Sequence, residues 1–197
     1  MTNLVDDLRQ AMDAVARLGS SSADYEALAD TAVLAGQKQI AAARRLLDTR
    51  SAWMAATIAR RSRPERGHSG LAAQQGFLSP EALIQKWTGS TKNDAYTLVA
   101  VGTMMANTEA AEKLLEAALE SPTADAADIA AFVAQVPWQA PIARAVTAGT
   151  LSVDAAESIR AGLGQIDAAV TAEKLAAAVE VLLVEVEALS VNVGECR

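Results

Sequence analysis

One cysteine, Cys196, and one histidine, His68, are all that the 197 residues hold of either kind. The first shortage excludes an intrachain disulfide framework and a Cys-x-x-Cys zinc site. The second excludes most histidine-based catalysis and metal ligation within the chain. Aromatic residues make up 4% of the sequence, too few for a sandwich or barrel core, which leans on aromatic and β-branched side chains. A membrane span needs an uncharged apolar run of about 18 residues. The nearest approach, residues 175–189, is interrupted by Glu180, Glu185 and Glu187, so no membrane partner is expected. Asp6 and Asp7 stand where a signal peptide carries basic and then apolar residues, so export is not expected and the cytoplasm is the expected compartment.

What the sequence does have is alanine, 45 residues of it, within an apolar content of 51%. Alanine is the best helix former, and that apolar content is too high for a disordered chain. The expected fold is all-α: a bundle of about eight to ten helices with one long spine helix and a helix-turn-helix-like unit. Residues 1–197 read as one helical domain, or as lobes 1–62 and 71–197 joined by a basic loop at 60–70.

Along the chain, Leu4, Leu8, Ala11, Val15 and Leu18 form one amphipathic stripe, ended by Gly19 and three serines. A long helix is predicted from about Asp24 to Arg61, with a bend or seam shift near Gly36, where the apolar step widens to five. The stretch RRSRPERGHSG, residues 60–70, reads as a mobile basic loop because Pro64, Gly67 and Gly70 forbid a continuous helix. Ser79 then caps a helix with Pro80 at its first position, Gly89 stops it, and Ser90 or Thr91 caps the next. Two helices around a short Gly-containing turn match a helix-turn-helix. Separate helices are predicted for 108–120, 125–136, 142–148 and 153–163, with Pro137 and Pro141 as breaks and Ser152 as a cap. In the last helix, capped by Thr171, the seam Leu175, Val179, Leu182, Val186, Leu189, Val193 repeats over almost three heptads. Val181, Leu183 and Val184 lie off that seam, so this helix calls for neighbours on more than one side.

Charge is unevenly spread. The chain carries −7 overall, yet Arg44–Arg66 holds seven arginines against Asp48 and Glu65. An acidic whole is a poor nucleic-acid binder, but a local basic cluster can still contact phosphates. Arg60, Arg61, Arg63 and Arg66 are the candidate DNA-backbone contacts. Thr91, Lys92, Asn93 and Tyr96, at the start of the second helix of the helix-turn-helix-like pair, are the candidate base-edge contacts. The bland alternatives are a solvated helix face and a bundle with no DNA role. His68 reads as a loop residue. Glu109, Glu112, Glu116 and Glu120 read as a solvated face, since bundle metal sites of the di-iron type need Glu-x-x-His pairs. Cys196 reads as a lone terminal thiol, and Trp53, Trp87 and Trp138 as core anchors.

Two segments, GFLSPEALIQKWTGSTKNDAYTLVAVGTMM (residues 76–105) and PIARAVTAGTLSVDAAESI (residues 141–159), together resemble the actinobacterial domain of unknown function 222 family, also called 13E12-repeat proteins. The matching features are the Ser79–Pro80 helix start, the Thr88–Gly89 turn, the break from Ala148 to Ser152 and the Ala-rich helix ending near Trp53. The resemblance covers roughly residues 5–190 and rests on structural signatures. It implies a helical region of the kind that precedes an HNH endonuclease domain. The nuclease's metal ligands and water-activating histidine have no counterpart here, so the resemblance carries over no catalytic residue. A divalent metal would belong to that nuclease domain, and no cofactor or small-molecule substrate is expected for this chain. The expected function is that of a non-catalytic accessory region which positions DNA or assembles the protein, with a homodimer as the expected state. The rival expectation is a self-association module that makes no DNA contact.

Overall fold

The computed structural model describes residues 3–123, 125–166 and 170–192, with side chains described to residue 186 of the last stretch. Among the described residues are ten α-helices and no strand: α1 (Leu4–Ala16), α2 (Ser22–Glu26), α3 (Asp30–Arg61), α4 (Leu71–Gln74), α5 (Pro80–Thr88), α6 (Lys92–Glu120), α7 (Ala126–Gln135), α8 (Ala140–Thr147), α9 (Val153–Leu163) and α10 (Ala172–Asn192). The fold is the all-α multi-helix bundle read from composition. The chain divides into two compact units, Met1–Ala43 and Arg44–Arg197. The segment 60–70, read above as a joint between lobes, lies within the second unit.

In the first unit, Asn3 caps α1 by accepting the Val5 N–H at 3.2 Å. The single helix expected from Asp24 is instead two. The Asp24 carboxylate turns back to accept the N–H groups of Ser20 and Ser21 at 2.8 and 3.0 Å, bonds that hold its pKa below the ordinary value. Asp30 then supplies a fresh acidic first turn for α3. Across Gly36, where a bend was expected, α3 runs on as one helix, and the space around that glycine is open. No residue from 3 to 40 is buried; along α1, Leu4, Val5, Met12 and Val15 are each more than half exposed.

The second unit is built on α6. It is one helix of 29 residues rather than two meeting at Thr108, because no proline or glycine interrupts residues 103–120. It packs against α5, α7, α8 and α9, while α10 lies on α8. Val101, Ile142, Val146, Ala156 and Val179 are fully buried at its centre. α6 also lies backbone to backbone against α3 at Gly102. A Cβ at Gly102 would collide with the Ala52 carbonyl and come within 3.2 Å of the Ala56 Cβ, so only glycine lets these backbones touch.

The turn joining α8 to α9 is pinned to α3. Arg45 donates through Nε to the Gly149 carbonyl at 2.7 Å, and the fully buried Thr49 hydroxyl shares its proton between the carbonyls of Arg45 and Val146, at 2.8 and 3.0 Å. Gly149 has a positive φ of 74°, a conformation that suits glycine. Pro141, predicted as a break, sits instead in the first turn of α8, where a missing N–H costs nothing. Trp138 is buried and Trp53 packs on the core, but Trp87, one turn after the buried Leu83 and Ile84 on α5, is 62% exposed and is not a core anchor.

Candidate functional site

The helix-turn-helix-like unit forms as its punctuation implies. Ser79 accepts the Ala82 N–H at 3.2 Å, Pro80 starts α5, and Gly89 ends it with a φ of 65°. Thr91 caps α6 in a reciprocal box: its hydroxyl accepts from Asp94 N–H at 3.1 Å while the Asp94 carboxylate accepts from Thr91 N–H at 3.0 Å. The hydroxyl offered above as a base contact is therefore engaged in capping, and a carboxylate stands beside it. Lys92 and Asn93 are exposed. Tyr96 is 54% exposed and faces α9, where Arg160 is held charged chiefly by its hydrogen bonds to Glu157, with burial opposing and the Tyr96 hydroxyl adding support. The Glu157–Arg160 pair is bidentate, at 2.8 and 2.7 Å.

The arginine cluster separates by role. Arg45 carries the Gly149 turn, Arg50 lies over the Trp53 ring at 5.4 Å, and Arg44 reaches Asp48 at 3.8 Å. Burial raises the Asp48 pKa above its ordinary value, opposed by Arg44 and reinforced by Asp154. The four candidate contacts Arg60, Arg61, Arg63 and Arg66 are exposed and make no ion pair among the described residues. The mobile loop expected around them is ordered differently. Arg60 and Arg61 close the last turn of α3, and Arg63 caps a 3₁₀ turn over Pro64–Ser69 that is kinked at Gly67. Ser62 reinforces it by accepting the Ala72 N–H at 3.0 Å.

This ordering sends the four guanidinium groups in two directions. Arg60 and Arg63 line a groove of about 770 Å³ between the end of α3 and the middle of α6. Arg61 and Arg66 line a shallower one beside α4. Neither groove includes Thr91, Lys92, Asn93 or Tyr96. The structure thus does not gather the eight candidate residues into one site.

Sequence reading missed the larger groove. Its walls carry Trp53, Ala59, Ala106, Asn107 and Ala110, which come from two helices. The one available signal was the α6 spacing Thr103, Asn107, Ala110, which repeats at helical period. The predicted solvated glutamate face is partly used: Glu109 takes Lys113 at 2.6 Å and raises its pKa, and Glu112 takes Arg144 at 2.9 Å. Among the described residues no group of three or more His, Cys, Asp or Glu side chains is placed to hold a metal, and no helix is long and apolar enough to cross a membrane. His68 is exposed in the 3₁₀ turn. Cys196, Val193 and the Leu189 side chain lie outside the described residues.

No family model matches the chain, and no curated protein or solved structure matches it either.

Proposed function

We propose that this chain is a non-catalytic helical region that works through assembly, the kind of role implied by its resemblance to the helical part of domain of unknown function 222 proteins. The observation that carries the proposal is the row of large apolar side chains left uncovered on helix faces. On α1 these are Leu4, Met12 and Val15, and on α10 Val181 and Val184. Contiguous exposed apolar rows of this kind mark association surfaces. The expected product is a homodimer. Light scattering over a hundredfold concentration range, with reductant present to exclude a Cys196 bridge, is expected to show mass rising to twice that of the monomer. A monomer at every concentration rejects the assembly reading.

A second reading, contact with the DNA backbone, is favoured by the exposed charge of Arg60, Arg61, Arg63 and Arg66, which have no ion pair among the described residues. A few phosphate contacts make affinity fall by orders of magnitude between low and physiological salt. Titrating duplex DNA against the chain and its Arg61→Ala/Arg66→Ala variant tests this, and absence of binding at low salt rejects it. Under either reading, plasmid incubated with the chain and Mg²⁺ is expected to stay intact.

A further inference from the structure

We propose that α10 of a second copy of this chain lies in the groove between α3 and α6, its outer apolar face on the alanine walls and its glutamates against Arg60 and Arg63. The inference rests on the assembly reading and adds the surface and its occupant.

Both halves are visible on the second unit. The inner face of α10 is used along its first turns: Leu175 and Val179 are buried in the core, and Leu183 packs against it. The outer face repeats the pattern without a neighbour among the described residues. Ala177, Val181 and Val184 step by four and then three, so they share one stripe at the helical period. All three are exposed, the valines by 61% and 65%. At 100° per residue, Glu180 flanks this stripe on one side and Glu185 on the other. Among the described residues Glu180 has only a distant ion pair, with Arg144 at 4.0 Å.

The groove is the complement of that face. Ala56, Ala59, Ala106 and Ala110 present methyl groups rather than long side chains, which lets a second helix approach closely. Helix-in-groove recognition reads apolar anchors at such i, i+3/i+4, i+7 spacing. Arg60 and Arg63 stand at its edge without a carboxylate partner among the described residues. Lys113 at the opposite wall is already neutralised by Glu109. The uncompensated charge of the groove is therefore positive at one edge, and the uncompensated charge flanking the α10 stripe is negative. Opposite potentials of this kind fix register and partner choice. Each copy owns one helix face and one groove, so a twofold pair makes the contact twice.

Charge reversal tests it. Arg60→Glu/Arg63→Glu and, separately, Glu180→Lys/Glu185→Lys are each expected to weaken dimerisation at least tenfold by light scattering. Circular dichroism is expected to stay unchanged, because all four side chains are exposed. Mixing the two variants is expected to restore association, since one arginine-to-glutamate groove then meets one glutamate-to-lysine helix. In a Cys196→Ser background, Ala59→Cys and Val181→Cys chains, mixed and mildly oxidised, are expected to form an interchain disulfide. A dimer that persists unweakened in both reversed variants overturns this proposal while leaving the assembly reading standing; a wild-type monomer at all concentrations overturns both. Loss of duplex DNA binding in Arg60→Glu/Arg63→Glu with mass unchanged makes the groove a nucleic-acid contact and also overturns the proposal.

Discussion

The two units of this chain are made of the same material and differ in what they do with it. α1 has a regular apolar stripe, a capped start and acidic residues in its first turn, yet none of its residues is buried. In the second unit, α8 is shorter, eight residues, and buries five of them: Ala140, Pro141, Ile142, Ala143 and Val146. Amphipathicity and capping are sufficient for a helix. They do not create a core, which requires a second surface of matching shape at the right distance. The second unit has such surfaces because Gly102 brings α6 onto α3, and because Thr49 and Arg45 hold the α8–α9 turn in place.

The contrast is broken most severely at Gly102. Gly102→Ala drives a methyl into the backbone of α3, which cannot rotate away, so a loss of about 3 kcal/mol or more is expected. Thermal unfolding followed by circular dichroism measures it, and Gly36→Ala, with open space around it, is the control expected to be neutral or slightly stabilising. Next comes Thr49→Val, which keeps the shape but leaves the Val146 carbonyl without its side-chain donor. A loss of about 1–2 kcal/mol is expected in denaturant unfolding.

A smaller effect of opposite sign is expected at Thr108. Its buried hydroxyl has no hydrogen-bond partner among the described residues, so Thr108→Val is expected to stabilise the second unit by about 1 kcal/mol. The first unit supplies the reverse test: Val15→Asp, on a helix that buries nothing, is expected to change the unfolding of the second unit by less than about 0.5 kcal/mol. A larger loss would show that α1 has a partner.

The smallest expected effect depends on pH. The folded-state pKa of Asp48 is raised, so its carboxylate is held less well in the folded chain than in the unfolded one. Stability from its protonated form is present below the ordinary value of 3.8 and is lost as pH rises through the folded pKa. Asp48→Asn is therefore expected to raise the melting temperature at pH 7 by about 1 °C and to leave it unchanged at pH 3. A scan at the two pH values checks the sign.

Local chemistry was legible wherever it is local. The starts at Ser79, Asp125 and Ser152, the next start to within Ser90 or Thr91, and the stop at Gly89 were readable because caps and left-handed glycines act within a few residues. The helix Asp24–Arg61 was read as one because no proline or glycine marks the break at 27–29, where α2 ends at the Ala27 cap and α3 starts afresh at Asp30. Thr108 was read as a helix start because a threonine before Glu109 looks like a cap, but inside a 29-residue helix it is a buried interior residue. The arginine cluster was legible as charge but not as geometry. Seven arginines in one stretch resolve into three with structural partners and two outward pairs that face different grooves.

By itself the sequence determined that this protein is helical, where most of its helices begin, and that it lacks the residue types for most histidine- or cysteine-based chemistry, because propensity, capping and composition are properties of short segments. Only the tertiary structure decided which apolar stripes are covered. The stripe of α10 that begins at Leu175 meets α8, the stripe through Val181 is exposed among the described residues, and no periodicity distinguishes the two. The physical reason is that burial belongs to a pair of surfaces, and the second member of each pair comes from residues distant in sequence.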